Sequence, residues 1–422
     1  TELNTPEKIS KVLVDAYPTA NWNMLAEFSS DNTDDNGSRN MELDRLSEEV
    51  YHWKDTKESG NDSPGAYWEA CYKAVAVSNH ALEAIEKLGD TEDLKAQKGE
   101  ALLCRAYGHF MLSYIFCNAW TASNQNTALG IPYSTKPETT VNPSYERGTI
   151  GQTYEKIAKD IEEGLALVDD NNYSVPKYHF NRKAAYAFAA RFYLYYGKYE
   201  RAIECANVVL GDNASLVLRD WEALGKLSLN EDHQPNAYIS STEQANLLLV
   251  TSRSFWGLYN GPLTTSNRYC HNPTIAETET CSSTGVWGDC TSTLKQQPAD
   301  YTSIPKVVFR KFPLYYMEYT DPVLGNGYYN IISSAFNTDE TLLVRAEAYA
   351  LTKQYSKAIA DMQSWLNAYT TSKVQLTEEN INQFYGNIAY YTPTEPTVKK
   401  ELHPDFALEA GTQENLIQFI LH

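Results

Sequence analysis

Apolar positions along this chain recur mostly at three- and four-residue intervals, the period of a helix with one buried face. The clearest stretch is Asn181 to Leu210, NRKAAYAFAARFYLYYGKYERAIECANVVL. The small residues Ala185, Ala189 and Ala190 share one face, and Tyr186, Tyr193, Ala202, Ala206 and Val209 continue the apolar pattern. Gly197 stands where a helix end needs a residue tolerant of positive φ, so the stretch predicts two helices joined there. The same period predicts helices over 6–16, with Thr5 as cap and Pro6 in the first turn, and over 66–88, 91–116, 149–168, 339–351 and 355–369. A last one begins near Thr412 and is still running at His422, as if the sequence were cut short there.

The pair at 181–210 has an echo. A shift of 156 residues carries Ala190 to Ala346, Tyr193 to Tyr349, Tyr199 to Tyr355 and Ala202 to Ala358. Tyr186, Ala190, Tyr193, Gly197, Tyr199 and Ala202 also fall on the roughly 34-residue tetratricopeptide register. One such pair cannot bury both its faces and must stack on others. The repeats are not in tandem, however. Residues 18–63 are polar, rich in Asn, Asp and Gly, and hold Trp22 and Trp53. Pro132, Pro137 and Pro143 mark an extended crossing segment. ANLLLV at 245–250 reads as a short strand, and Ser252 to Tyr329 as loops and short strands carrying Trp256, Tyr259, Tyr269, Trp287, Tyr301, Tyr315, Tyr316 and Tyr319. Residues 377–410, with Pro393, Pro396 and Pro404, read as mostly irregular. The expected fold is therefore mostly α: stacked tetratricopeptide-like helical hairpins with long loop-rich inserts and a few short strands. It is expected as a single domain over 1–422, with a helical scaffold at 65–116, 149–210 and 337–370 and a loop-rich insert at 220–336.

Charge and chemistry narrow the function. Lys and Arg number 35 against 54 Asp and Glu, a net charge of −19, which repels a phosphate backbone and argues against nucleic acid. No apolar run reaches the roughly eighteen residues of a spanning helix. The start, TELNTPEKIS, is polar and looks processed, a beginning compatible with secretion. Cys71, Cys104, Cys117 and Cys205 lie in helical segments as small hydrophobes, while Cys270, Cys281 and Cys290 lie in loops where two of them have room to bridge. Asn32, Asp34, Asn36 and Gly37 resemble half a calcium loop, but Leu43 stands where its distal Glu belongs, so no metal is expected. Neither Gly-x-Ser-x-Gly nor His-Glu-x-x-His occurs, and His80 and His109 sit on helices as packed or surface residues, so no enzyme and no cofactor is expected.

Several strings then fall in a telling order: Trp68, Tyr72, Asn79 and Ile85; Lys98-Gly99-Glu100-Ala101 followed by Arg105-Ala106-Tyr107; Gly130-Ile131-Pro132, Pro143, Arg147, Thr149, Tyr154, Ile157 and Asp160; the central pair at 181–210; and Arg345-Ala346-Glu347-Ala348. In this order they resemble the SusD-like (RagB/SusD) family of outer-membrane nutrient-binding lipoproteins of Bacteroidetes. The resemblance implies a surface glycan-binding protein that captures oligosaccharide for a SusC-like TonB-dependent transporter, held to the outer membrane by an N-terminal lipid. Two departures stand out: no cysteine to carry the lipid precedes Thr1, and the family's Arg-rich segment after the helix of Asn415, Phe419 and Ile420 is missing.

Sugar rings lie with their C–H faces on flat aromatic side chains, and their hydroxyls need amides, carboxylates or guanidinium groups nearby. Loops on a rigid scaffold supply both. Two regions qualify, and the family draws its binding aromatics from equivalent places. One is the N-terminal loop, with Asp31, Asn36, Arg39 and Trp53; the other is the insert, with Trp256, Tyr259, Asn267, Arg268, Tyr269 and Trp287. Trp68, Trp120, Trp221 and Trp365 lie in or beside helices and are expected to pack. The rival readings are a peptide-binding relative or a helical-repeat interaction scaffold; a peptide groove would use polar and Asn residues along the helices.

Overall fold

A computed structural model describes residues 2–229, 232–261, 266–300, 303–311 and 316–422; Tyr301 and Tyr315 lie outside the described residues. The N-terminal part runs α1 (Pro6–Leu13), α2 (Asn23–Phe28), β1 (Asp34–Asp35) and α3 (Arg45–Tyr51). The frame follows: α4 (Pro64–Lys87), α5 (Lys95–Phe116), α6 (Ile150–Leu165), α7 (Arg182–Tyr195) and α8 (Tyr199–Leu210). The insert holds five short helices, α9 (Trp221–Gly225), α10 (His233–Tyr238), α11 (Trp256–Asn260), α12 (Pro273–Glu279) and α13 (Cys290–Thr293). Its strands are β2 (Asn246–Arg253), β3 (Tyr269–Cys270), β4 (Thr284–Gly285), β5 (Gly288–Asp289), β6 (Ala299–Asp300), β7 (Val307–Val308), β8 (Tyr316–Asp321) and β9 (Asn326–Asn337). The frame resumes with α14 (Thr338–Leu351) and α15 (Tyr355–Tyr369) and closes with α16 (Glu378–Asn387) and α17 (Thr412–Leu421). The fold is mostly helical, as the periodicity predicts.

Each frame helix packs on the next: α4 on α5, α5 on α6, α7 on α8, α8 on α14 and α14 on α15. One apolar core runs through them from Ile9 to Phe419. Small residues let the backbones approach, since Ala184, Ala185, Ala189 and Ala190 of α7 and Ala346, Ala348 and Ala350 of α14 are all fully buried. A buried arginine–aspartate fork then locks neighbouring helices. Arg105 of α5 donates to both Asp160 oxygens at 2.7 Å, and Arg345 of α14 grips Asp361 of α15 through Nε at 2.8 Å and Nη2 at 2.6 Å.

The echo between the two pairs extends to their caps. Gly197, at φ +69°, ends α7 with its N–H on the Leu194 carbonyl and the Lys198 N–H on the Tyr193 carbonyl. Lys353, at φ +58°, ends α14 with the equivalent bonds to Ala350 and from Gln354 to Tyr349. Both ends are Schellman caps, in which a left-handed residue turns the chain back onto the last carbonyls.

The connections hold more order than the sequence suggests. Residues 18–63, polar and rich in Asn, Asp and Gly, contain α2, α3 and β1. Residues 377–410, read as mostly irregular, open with α16, whose Thr377–Asn380 capping box and buried Ile381 and Tyr385 outweigh the prolines that follow. The 12-residue β9 is longer than the short strands expected; it pairs antiparallel with both β2 and β8. All seven cysteines are free thiols.

Candidate functional site

The N-terminal loop and the insert, predicted separately, meet in a seam. Strand β1 pairs antiparallel with β3, Asp35 opposite Tyr269 and Asp34 opposite Cys270. The ladder is only two residues long, so side chains reinforce it. Arg268 grips Asp35 through Nε at 2.8 Å and Nη2 at 3.0 Å. That fork holds the Asp35 carboxyl below its usual range. The Asn36 amide donates to the Arg268 carbonyl at 2.8 Å, and its Oδ1 accepts from Asn272 at 3.0 Å. The Asn267 N–H donates to the Met41 carbonyl at 2.9 Å. Asp34 and Asn36, two of the half calcium loop, thus spend their side chains on Asn272 and the Arg268 carbonyl.

Successive strand residues face opposite ways, and so do the two sides of this seam. On one side Tyr269 stacks on Tyr51 with ring centroids 4.6 Å apart, and its hydroxyl meets His52 Nε2 at 3.1 Å. Burial pushes the Tyr269 phenol up to about 12. Beside them stands Trp53. Helix α3 ends in a Schellman cap of the same kind: the Trp53 N–H donates to the Val50 carbonyl at 3.0 Å and the Lys54 N–H to the Glu49 carbonyl at 2.9 Å. The left-handed position, filled by Gly197 at the end of α7 and Lys353 at the end of α14, is filled here by Trp53 at φ +53°. A tryptophan held there costs about 1 kcal/mol of backbone strain. Its ring recovers little by packing, because Trp53 is 80% exposed.

On the other side Cys270 faces a cavity of about 280 Å³, lined among others by Glu27, Asn32, Trp256, Asn260, His271 and Lys306. The half-buried Trp256 meets Phe28 edge-on at 6.4 Å. Lys306 is 1% exposed and donates to the Tyr259 carbonyl at 2.7 Å. Burial pushes its amine down to about 8 and the Glu27 carboxyl up. Asp62, whose oxygens accept from the Ser254 hydroxyl at 2.6 Å and the Phe255 N–H at 2.8 Å, anchors the start of α11.

The seam thus brings together Asn36, Trp53, Trp256, Tyr259, Asn267, Arg268 and Tyr269. Arg39 is exposed near it, and Asp31 reaches away to Lys400 at 3.3 Å. Trp287 lies elsewhere. It is 3% exposed, closed in by Trp365 at 5.0 Å, His422 at 4.8 Å and Phe419 at 5.9 Å. Tyr51, His52, Asn260 and Lys306 were missed by the sequence reading, and none carries a local signal. His109 is buried and neutral: Nδ1–H donates to the Arg105 carbonyl at 2.8 Å, Nε2 accepts from the Ser134 N–H at 3.0 Å, and burial pushes it down to about 3. Among the described residues no group of His, Cys, Asp and Glu is arranged to hold a metal, and no helix is long and apolar enough to cross a membrane.

Known proteins can now be set beside this geometry. Residues 1–194 match the family SusD-like_3, described as starch-binding and associating with the outer membrane. No curated protein sequence matches the chain. Among solved structures, a putative sugar binding protein from Bacteroides vulgatus is similar with a TM-score of 0.64 at 18% identity, over 90% of this chain and 83% of that one. A SusD superfamily protein from Bacteroides thetaiotaomicron is similar with a TM-score of 0.59 at 19% identity, over 89% and 84%. A SusD-like carbohydrate binding protein from Bacteroides vulgatus is similar with a TM-score of 0.58 at 16% identity, over 89% and 77%.

Proposed function

We propose that this chain, a SusD-like protein in its matched residues and in its fold, is a non-catalytic glycan-binding protein of the cell surface. It captures oligosaccharide and hands it to a SusC-like transporter in the outer membrane, to which a lipid outside this sequence anchors it. Trp53 carries the reading. A bulky residue strained at a helix cap, with its ring in water, is retained against stability, and strain of that kind points to a function for the side chain. A sugar ring laid on the indole removes apolar surface from water on both partners. The flanking Tyr51, His52 and Tyr269 and the Arg268–Asp35 fork supply polar atoms for hydroxyls. Trp256, Tyr259 and Asn260 extend the surface to the cavity on the other side of the ladder.

Calorimetry with a panel of neutral oligosaccharides tests the proposal. Wild-type protein is expected to bind at least one, and Trp53→Gly to lose about 1–3 kcal/mol of that affinity, by analogy with base–aromatic stacking. Undiminished affinity in Trp53→Gly would place the ligand elsewhere. Binding to peptides but to no saccharide would sink the function itself.

A further inference from the structure

A second cavity, of about 260 Å³, lies in the frame and shares no lining residue with the seam. Its floor is one face of the β2–β9 ladder, where Val250 pairs with Ser333 and Ser252 comes two residues on. Arg191 of α7 and Glu340 of α14 form one wall, and segment 18–23 the other, tied down by the Arg253 N–H on the Thr19 carbonyl at 2.9 Å.

The chemistry of this lining is specific. Ser252 is 2% exposed and lines the cavity, and beside it the buried Asn21 Nδ2 has no hydrogen-bond partner among the described residues. Arg191, 8% exposed, gives Nε and Nη2 to Glu340, both at 2.6 Å, and Nη2 also to the Ala335 carbonyl at 2.7 Å; among the described residues its Nη1 makes no hydrogen bond. Ser333 also lines the hollow. Buried polar groups are ordinarily paired, so the unpaired Asn21 amide in a hollow lined with polar side chains marks a place shaped for a polar guest. Trp22, half-buried against Tyr114 at 5.6 Å, adds an aromatic surface. The guanidinium is already neutralised by Glu340, so the cavity presents donors and acceptors with no charge left over.

We infer that this cavity is a binding site for one neutral sugar ring or a polyol of that size. It is smaller than the ~300–1,000 Å³ of ordinary small-molecule sites, which limits the guest to a single ring. Ser252 and Arg191 Nη1 donate to ring hydroxyls, Glu340 accepts from them, and Trp22 covers a C–H face. Glu340, whose side chain is 34% exposed, marks the mouth.

Saturation-transfer NMR and tryptophan fluorescence with D-glucose, D-galactose, D-xylose and D-glucuronate test this site on the whole chain. At least one neutral sugar is expected to saturate at millimolar concentration, in wild type and in Trp53→Gly alike. Ser333→Phe, which fills the hollow, is expected to abolish that binding. Ser252→Val, which keeps the shape and removes only the hydroxyl, is expected to weaken it about tenfold. Should Ser333→Phe fail to fold in a thermal melt, Ser252→Val still decides. No saturation by any neutral sugar, unchanged binding in Ser252→Val, or glucuronate bound as tightly as glucose would each overturn the inference. Failure here leaves the Trp53 surface untouched, and loss in Trp53→Gly alone would assign the monosaccharide to the seam.

Discussion

Arginine–aspartate forks hold this molecule in two different ways. In the frame, Arg345 grips Asp361 only 16 residues away, with side chains 11% and 8% exposed. At the seam, Arg268 grips Asp35 across 233 residues, with side chains 26% and 27% exposed. The first joins the consecutive helices of one hairpin, inside a wall of alanines. The second joins two long loops across a ladder of two residue pairs. Desolvation makes the frame pair costly to break, whereas solvent screens the seam pair and leaves it little weight in stability. The frame is thus built to stay folded, and the seam to hold rings and polar groups in place at the surface.

Breaking a frame fork should have the largest effect. Asp361→Ala strands a buried guanidinium and is expected to cost about 3–5 kcal/mol in chemical denaturation. The protein that remains folded should bind glycan as wild type does; selective loss of binding would erase the division between frame and seam. Trp287→Ala belongs with the frame for the same reason, since its ring is closed in by Trp365, Phe419 and His422. A loss of about 3–5 kcal/mol in stability is expected there, with affinity per folded molecule unchanged.

A smaller effect, of opposite sign, is expected at the seam. Trp53→Gly relieves the cap and should raise stability by about 1 kcal/mol while affinity falls. Trp53→Ala keeps the strain without the ring, and should lose affinity with no gain in melting temperature. If Gly and Ala melt alike, the cap is not strained.

The pH response sharpens the comparison further. Burial raises Glu347 of the frame to about 7 and Asp62 of the seam to about 6. Each folded carboxyl holds its proton above its unfolded value, so the stability tied to it is full below about pH 4 and is lost as pH rises through 6 to 7. Glu347→Gln is expected to remove a fall in stability of the order of 1–3 kcal/mol between pH 5 and 8. An unchanged slope in that variant would mean that Glu347 ionises normally. The smallest change should come from Arg268→Gln, which leaves the melting temperature almost where it was yet weakens glycan binding by loosening the loop pair.

This division also decided what could be read in advance. Helices α7, α8, α14 and α15 were legible because their causes are local: the spacing of alanine and tyrosine, and Gly197 at the turn. The seam was legible in its ingredients but not in its assembly. Asn36 and Arg268 carry no mark of each other, because the bonds between them span more than two hundred residues. The cap at Trp53 was hidden for another reason. Gly announces a left-handed turn and Trp does not, so α3 ended unnoticed. Trp287 and Trp53 looked alike as loop tryptophans. Only the packing of Trp365 and Phe419 onto one of them separates their roles.

The matching helix ends have a consequence for how such a protein diversifies. At Gly197, Trp53 and Lys353 the closing hydrogen bonds run from backbone to backbone. The side chain at that position is left out of the closure, and at α3 it points into solvent. Most replacements for Trp53 would inherit the same turn at the same modest strain. Descendants of this chain could therefore exchange one ligand preference for another by a single codon change, with no repair needed in the fold behind it.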